Sequence, residues 1–149
     1  MSAPKTLAAF FADVNKRVKG SQQYILKRLA EDTLEEARAM FGTYDNGGDW
    51  PALAASTLRH HKAKQSSIQA AGFSGFDTPL VVTGELMNSI GMTVGPGYSA
   101  VGTDNPLMEI HELGDEHTPA RPVFGPVKGK IEAKIDRIMQ LALEQVMEK

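Results

Sequence analysis

Apolar side chains recur at three- and four-residue steps from Leu7 through Phe11, Val14 and Val18 to Ile25, Leu29, Ala37 and Phe41. That spacing lines one face of an α-helix and predicts helix over the first forty residues. Pro4 suits a first helical turn, and Gly42 suits the position just past a helix end. The weak point is Lys19-Gly20-Ser21, because Gly costs a helix about 1 kcal/mol relative to Ala and Ser21 is a good cap. The pattern therefore predicts either one helix kinked near Gly20 or two helices that meet there. A second stripe of the same kind, Ile131, Ile135, Ile138, Ala142 and Val146, predicts a last helix from about Val127.

Between these stripes the pattern changes. Residues 43–79 show no sustained period and read as a long loop, with a turn at Asp45-Asn46-Gly47-Gly48-Asp49 and room for a short helix between Pro51 and Lys64. Leu80-Val81-Val82 is a short β-prone run, and Thr83 is placed to cap a brief helix through Leu86 and Ile90. Met92-Thr93-Val94 and Tyr98 to Val101 flank Gly95-Pro96-Gly97 and predict a hairpin. Asn105-Pro106 opens a helix over Leu107 to Leu113 that Gly114 stops, and Pro119, Pro122 and Pro126 punctuate the loop beyond it. The expected fold is α+β, with a long N-terminal helix and a C-terminal helix packed on a small antiparallel sheet.

At 149 residues, with 42% hydrophobic and 23% charged, the chain reads as one domain over 1–149. It contains no Cys, which excludes a disulfide scaffold, a thiol nucleophile and Cys-ligated metal. No run approaches the roughly 20 apolar residues of a membrane span, and the N-terminus lacks the longer apolar core of a signal peptide. This predicts a soluble protein in a reducing cytoplasm. Net charge is -2, without the basic excess of a general nucleic-acid binder. The charge is uneven: residues 41–127 hold nine acidic side chains against four basic ones, while both helical ends are mildly positive. Such a split suits interlocking copies or protein partners better than a substrate pocket.

Candidate chemistry is sparse. His111-Glu112 followed by Asp115-Glu116-His117 holds metal-ligand types, but their spacing matches no standard motif. A small metal-dependent enzyme using His111, Glu112, Glu116 and His117 is therefore an alternative reading, and a DNA-binding adaptor is another, disfavoured by the acidic centre. His60-His61 beside Lys62 and Lys64 reads as a solvated basic patch. Thr83-Gly84-Glu85-Leu86 lacks a nucleophile elbow, and no phosphate loop or cofactor motif is present. Trp50 is expected to pin the long loop to the domain body or to an adjacent subunit. Arg121, between Pro119 and Pro122, is held by a stiff backbone and suits a carboxylate fork across an interface.

In order, Trp50-Pro51-x-Leu53 with Thr57, Thr83-Gly84-x-Leu86-x-x-Ser89-Ile90, Ile110-His111-x-Leu113-Gly114 and Pro119-Ala120-Arg121-Pro122-x-x-Gly125 resemble the phage virion morphogenesis family. These are the tail-completion proteins of P2-like and Mu-like phages, broadly similar to the head–tail joining proteins of other tailed phages. The chain departs from the pattern at Leu107-Met108 and Val123-Phe124, where apolar character is kept. The resemblance implies a structural role at the neck or tail end and several copies in a ring, with no catalysis. Partners would be copies of itself, neighbouring neck, tail terminator or tail tube proteins, and DNA passing without sequence-specific binding. Within the motifs, Trp50, Leu53, Leu86, His111, Arg121 and Phe124 are the candidate interface residues. On this reading, some of Asp45, Asp49, Asp77, Glu85, Asp104, Glu109, Glu112, Asp115 and Glu116 line a lumen that does not hold DNA, while Arg121 faces a neighbour.

Overall fold

Thr6 begins the first helix, its Oγ1 accepting the Ala9 N–H at 3.1 Å as an N-cap. A computed structural model describes residues 6–46 and 49–148; Pro4, Gly47 and Gly48 of the sequence reading lie outside them. From that cap, α1 runs unbroken over Leu7–Ala39, so the expectation of two helices meeting at Gly20 is not met. Ser21 does not cap a second segment: its hydroxyl donates to the Ala142 carbonyl at 3.1 Å. Partner packing holds the helix through Gly20, which propensity alone would weaken.

That partner is α6 (Phe124–Met147), lying antiparallel along α1. The register is fixed by Ser21 opposite Ala142 at one end, and by Lys134 Nζ donating to Glu36 Oε1 at 2.6 Å at the other. Because α6 ends at Met147, it cannot reach the first ten residues of α1, an overhang of about 15 Å. Leu7, Phe11 and Val14, on the one apolar face that the spacing predicts, are therefore exposed, and Val18 just beyond them is exposed as well, while Ala30 and Ala37 further along are buried. The stripe on α6 fares better: Val127, Ile131, Ile138 and Ala142 are buried and Ile135 is half-buried.

The long loop contains two short helices, α2 (Ala55–Ala63) and α3 (Gln65–Ala70), the second of which the period did not announce. Leu80-Val81-Val82 forms no strand. The Thr78 carbonyl accepts the Val81 N–H at 3.2 Å across Pro79 and Leu80, and Leu80 takes φ +64°. This is a tight turn with a left-handed third residue, where Gly is the usual occupant. Gly84 is the N-cap of α4 (Glu85–Ser89), and Thr83 just before it accepts the Glu85 N–H on its Oγ1 at 3.3 Å, serving the helix start from one residue earlier than a cap. The hairpin is as the sequence predicts: β1 (Gly91–Gly95) and β2 (Tyr98–Gly102) pair antiparallel, Met92 opposite Val101, and lie on α1. Between Pro106 and Gly114, α5 spans Leu107–Leu113. The α+β fold is that of the sequence reading, and its core gathers at the C-terminal end of α1, where Ala37, Met40 and Phe41 meet Trp50, Val81 and Ile90. Among the described residues no helix is long and apolar enough to cross a membrane.

Glu36 joins the two long helices, paired with Lys134 and with Lys130 at 3.4 Å. The Lys134 hydrogen bond and charge, aided by Lys130, hold its carboxyl below the usual carboxylate range. A carboxyl lowered on folding adds stability above its unfolded value near 4.5, and that contribution is lost as pH falls through the folded value. Glu36→Gln is expected to lower stability at pH 7 by about 0.5–1 kcal/mol, the range of a largely exposed pair. The gap from the unmodified chain should close in acid, which urea titrations across pH will read.

Candidate functional site

Val123 is a poor N-cap, and α6 begins without a side-chain cap of its own. Glu112 of α5 supplies one from a distance. Its Oε2 accepts the N–H of Val123 at 2.7 Å and of Phe124 at 3.1 Å, and its Oε1 accepts that of Gly125 at 2.9 Å. The next residue is Pro126, which has no N–H to satisfy. One carboxylate and one proline thus account for the free donors of the first turn, and the negative charge sits at the positive end of the helix. The helix therefore starts at Phe124, three residues ahead of the expected Val127. Val127 N–H instead closes the first intrahelical bond, onto the Val123 carbonyl at 3.3 Å.

The loop between α5 and α6 folds back tightly. Asp115 Oδ1 accepts the amides of His117 and Thr118, at 2.9 and 2.6 Å, and these bonds hold its carboxyl below the usual range. Arg121 N–H donates to the His111 carbonyl at 2.6 Å. Gly114 sits at φ +74°, and a Cβ there would lie 2.8 Å from the Ala120 nitrogen, so only glycine lets the returning loop pass.

Arg121 is buried, at 6% exposure. Its Nε and Nη2 donate to the Pro51 carbonyl at 3.2 and 2.9 Å, and Nη2 also to the Ala52 carbonyl at 3.1 Å. Trp50 returns the connection, its indole N–H donating to the Pro122 carbonyl at 3.0 Å. The Nε and Nη2 edge of Arg121 thus meets carbonyls of its own chain and not a carboxylate. Within this chain it clamps the segment after Trp50, and Trp50 packs on its own domain body. Leu86 is also buried in the core, whereas Leu53, His111 and Phe124 are half-buried.

A cleft of about 480 Å³ opens beside this clamp. Leu53 and Thr57 border it from one side, Leu80 to Leu86 from another, and Leu107, His111, Pro119 and Arg121 from the third. All four motif segments thus contribute walls to one cavity, although 71 residues separate Trp50 from Arg121 in the numbering. His111 Nδ1 is buried without a hydrogen-bond partner. Burial first, and the Arg121 charge second, push its pKa below the usual histidine value.

Other expectations are revised. His61 is not part of a solvated basic patch: it is buried, with its Nδ1 3.0 Å from the Phe76 carbonyl, and burial lowers its pKa. Glu112 is not free for metal or for a lumen, because both oxygens are held at the α6 start. Among the described residues no group of three or more His, Asp and Glu is arranged to hold a metal ion. Asp77 accepts the Tyr44 hydroxyl at 2.7 Å, while Asp45, Asp49, Glu85, Asp104, Glu109 and Glu116 stay exposed. The sequence reading missed the cap by Glu112. Its one signal is a helix start with Gly125-Pro126 and no Ser, Thr, Asp or Asn before it.

No protein-family model matches the chain, and neither a curated protein nor a solved structure is significantly similar to it.

The capping role makes a direct forecast. Glu112→Ala leaves three helix-start donors unpaired and should cost about 1–3 kcal/mol in denaturant unfolding, with Glu112→Gln losing less. Unchanged stability of the alanine variant would remove Glu112 from this role.

Proposed function

We propose that the chain is a structural phage virion protein of the neck or tail end, a ring-forming subunit in tail completion and head–tail joining. The observation that carries this reading is the convergence of the four family-like motifs. Scattered along the sequence, they fold into one clamp and one cleft, as expected if they describe a single structural unit. Trp50 then acts from inside the subunit, pinning the segment that forms one wall of the cleft.

Further apolar surface for contact between copies lies at the ends of the long helices. The α1 overhang presents Leu7, Phe10, Phe11 and Val14, and the end of α6 presents Met139, Leu143 and Met147. Apolar side chains at this density on two adjoining helix ends favour burial against another subunit. Their arrangement suits a heterologous contact, the kind that closes rings by rotation. The exposed carboxylates of the central region would face passing DNA without gripping it, since counterion release rewards cations and not carboxylates. Neighbouring neck, terminator or tube proteins would stack above and below.

Deletion of the gene from its phage is expected to leave filled heads and assembled tails that do not join, visible by electron microscopy. Infectious particles at normal yield from the deletion would refute the reading.

A further inference from the structure

Arg121 is a buried cation without an anion. Its three hydrogen bonds go to neutral carbonyls, and Nη1 has no hydrogen-bond partner among the described residues. The ion pairs of the described residues all lie on α1 and α6, and none includes Arg121. Between Gln65 and Val127 it is the single Lys or Arg of the sequence. Carbonyl dipoles solvate a guanidinium but do not neutralise it, and the Nη1 edge, which is not sealed in the interior, stays available to an opposite charge. Arg121 lines the cleft, and so does His111 with its unpaired Nδ1.

The rest of the cleft says what kind of anion fits. Leu53, Leu80, Leu86 and Leu107 give it apolar walls, so a ligand gains by bringing apolar surface with its charge. A planar carboxylate matches the guanidinium fork, and one negative charge balances one positive charge. A phosphate dianion would be left with excess charge beside Glu85, a carboxylate that also lines the cleft. The flanking Pro119 and Pro122 and the Pro51 and Ala52 carbonyl bonds hold the guanidinium in place before any ligand arrives, which lowers the ordering cost of binding.

We infer that the cleft beside Arg121 is a recognition site for an Asp or Glu side chain, flanked by apolar residues, on another polypeptide. The carboxylate pairs with the free edge of the guanidinium, and the flanking side chains lie on the leucine walls. The inference stands on the cleft and not on the virion reading. Its test uses the isolated chain, so either can fail without the other.

The probe is an acetylated and amidated pentapeptide, Gly-Leu-Glu-Leu-Gly, titrated into the full chain while NMR follows the His111 ring and the Arg121 Nε–H. Saturable shifts at both are expected, with binding about tenfold or more weaker for the Gln counterpart and for acetate. Arg121→Gln should abolish the response. Should that variant not fold, Thr57→Trp, which fills the cleft from α2 and leaves the guanidinium bonds intact, should weaken binding by a similar factor. Equal binding of the Glu and Gln peptides would overturn the inference. So would acetate binding as tightly as the peptide, shifts confined to other surfaces, or no response up to about 10 mM peptide.

Discussion

The backbone from Pro119 to Gly125 is held from two sides at once, and the rest of the domain is organised around that grip. From α5, Glu112 gathers the amides of Val123, Phe124 and Gly125 and so sets where α6 begins. From the opposite side, Trp50 and Arg121 exchange hydrogen bonds with each other's backbone segments, Trp50 onto the Pro122 carbonyl and Arg121 onto those of Pro51 and Ala52. Charged donors and acceptors make these bonds stronger than neutral ones, and burial raises the cost of losing either partner. A segment with two prolines, and a third just after it, has few backbone donors to offer a sheet or helix, so side chains do the fastening. The start of α6, the floor of the cleft and the seat of the long loop all follow from it.

Farther out, the two long helices divide the molecule into a packed end and an open one. Ion pairs through Glu36 and buried Val127 and Ile131 close the end nearest the clamp. Toward the other end Ser21 still meets Ala142, and past the end of α6 at Met147 the first turns of α1 are exposed. Apolar residues continue past the point where the domain can cover them. Phe10, Phe11 and Val14 stand in the open at the end of one long helix, the exposed apolar surface on which the proposed subunit contact rests.

The sequence made local structure legible and left distant partnerships hidden. The hairpin, α5 and the two long helices were readable because Gly95-Pro96-Gly97, Pro106, Gly114 and the three-to-four spacing act on their own neighbourhoods. The α1 overhang was not foreseen, because periodicity shows which face is apolar, not how far the partner helix reaches. Leu80 was misread because a β-prone triplet carries no mark of a left-handed turn. Arg121 was rightly singled out as a fixed, directed guanidinium, yet its partners lie about seventy positions earlier in the chain and no local rule names them. Glu112 was grouped with metal ligands for its neighbours in sequence, whereas its partners are amides eleven to thirteen residues on.

If the grip on residues 119–125 organises the domain, those amides should open only when the core does. Native-state hydrogen exchange of Val123, Phe124 and Gly125 measures this directly. They should exchange as slowly as the buried amides of Ile131 and Ala37, with the same denaturant dependence, as one cooperative unit. Fast exchange at Val123 to Gly125, as at a frayed helix end, with Ile131 and Ala37 still protected, would contradict the account.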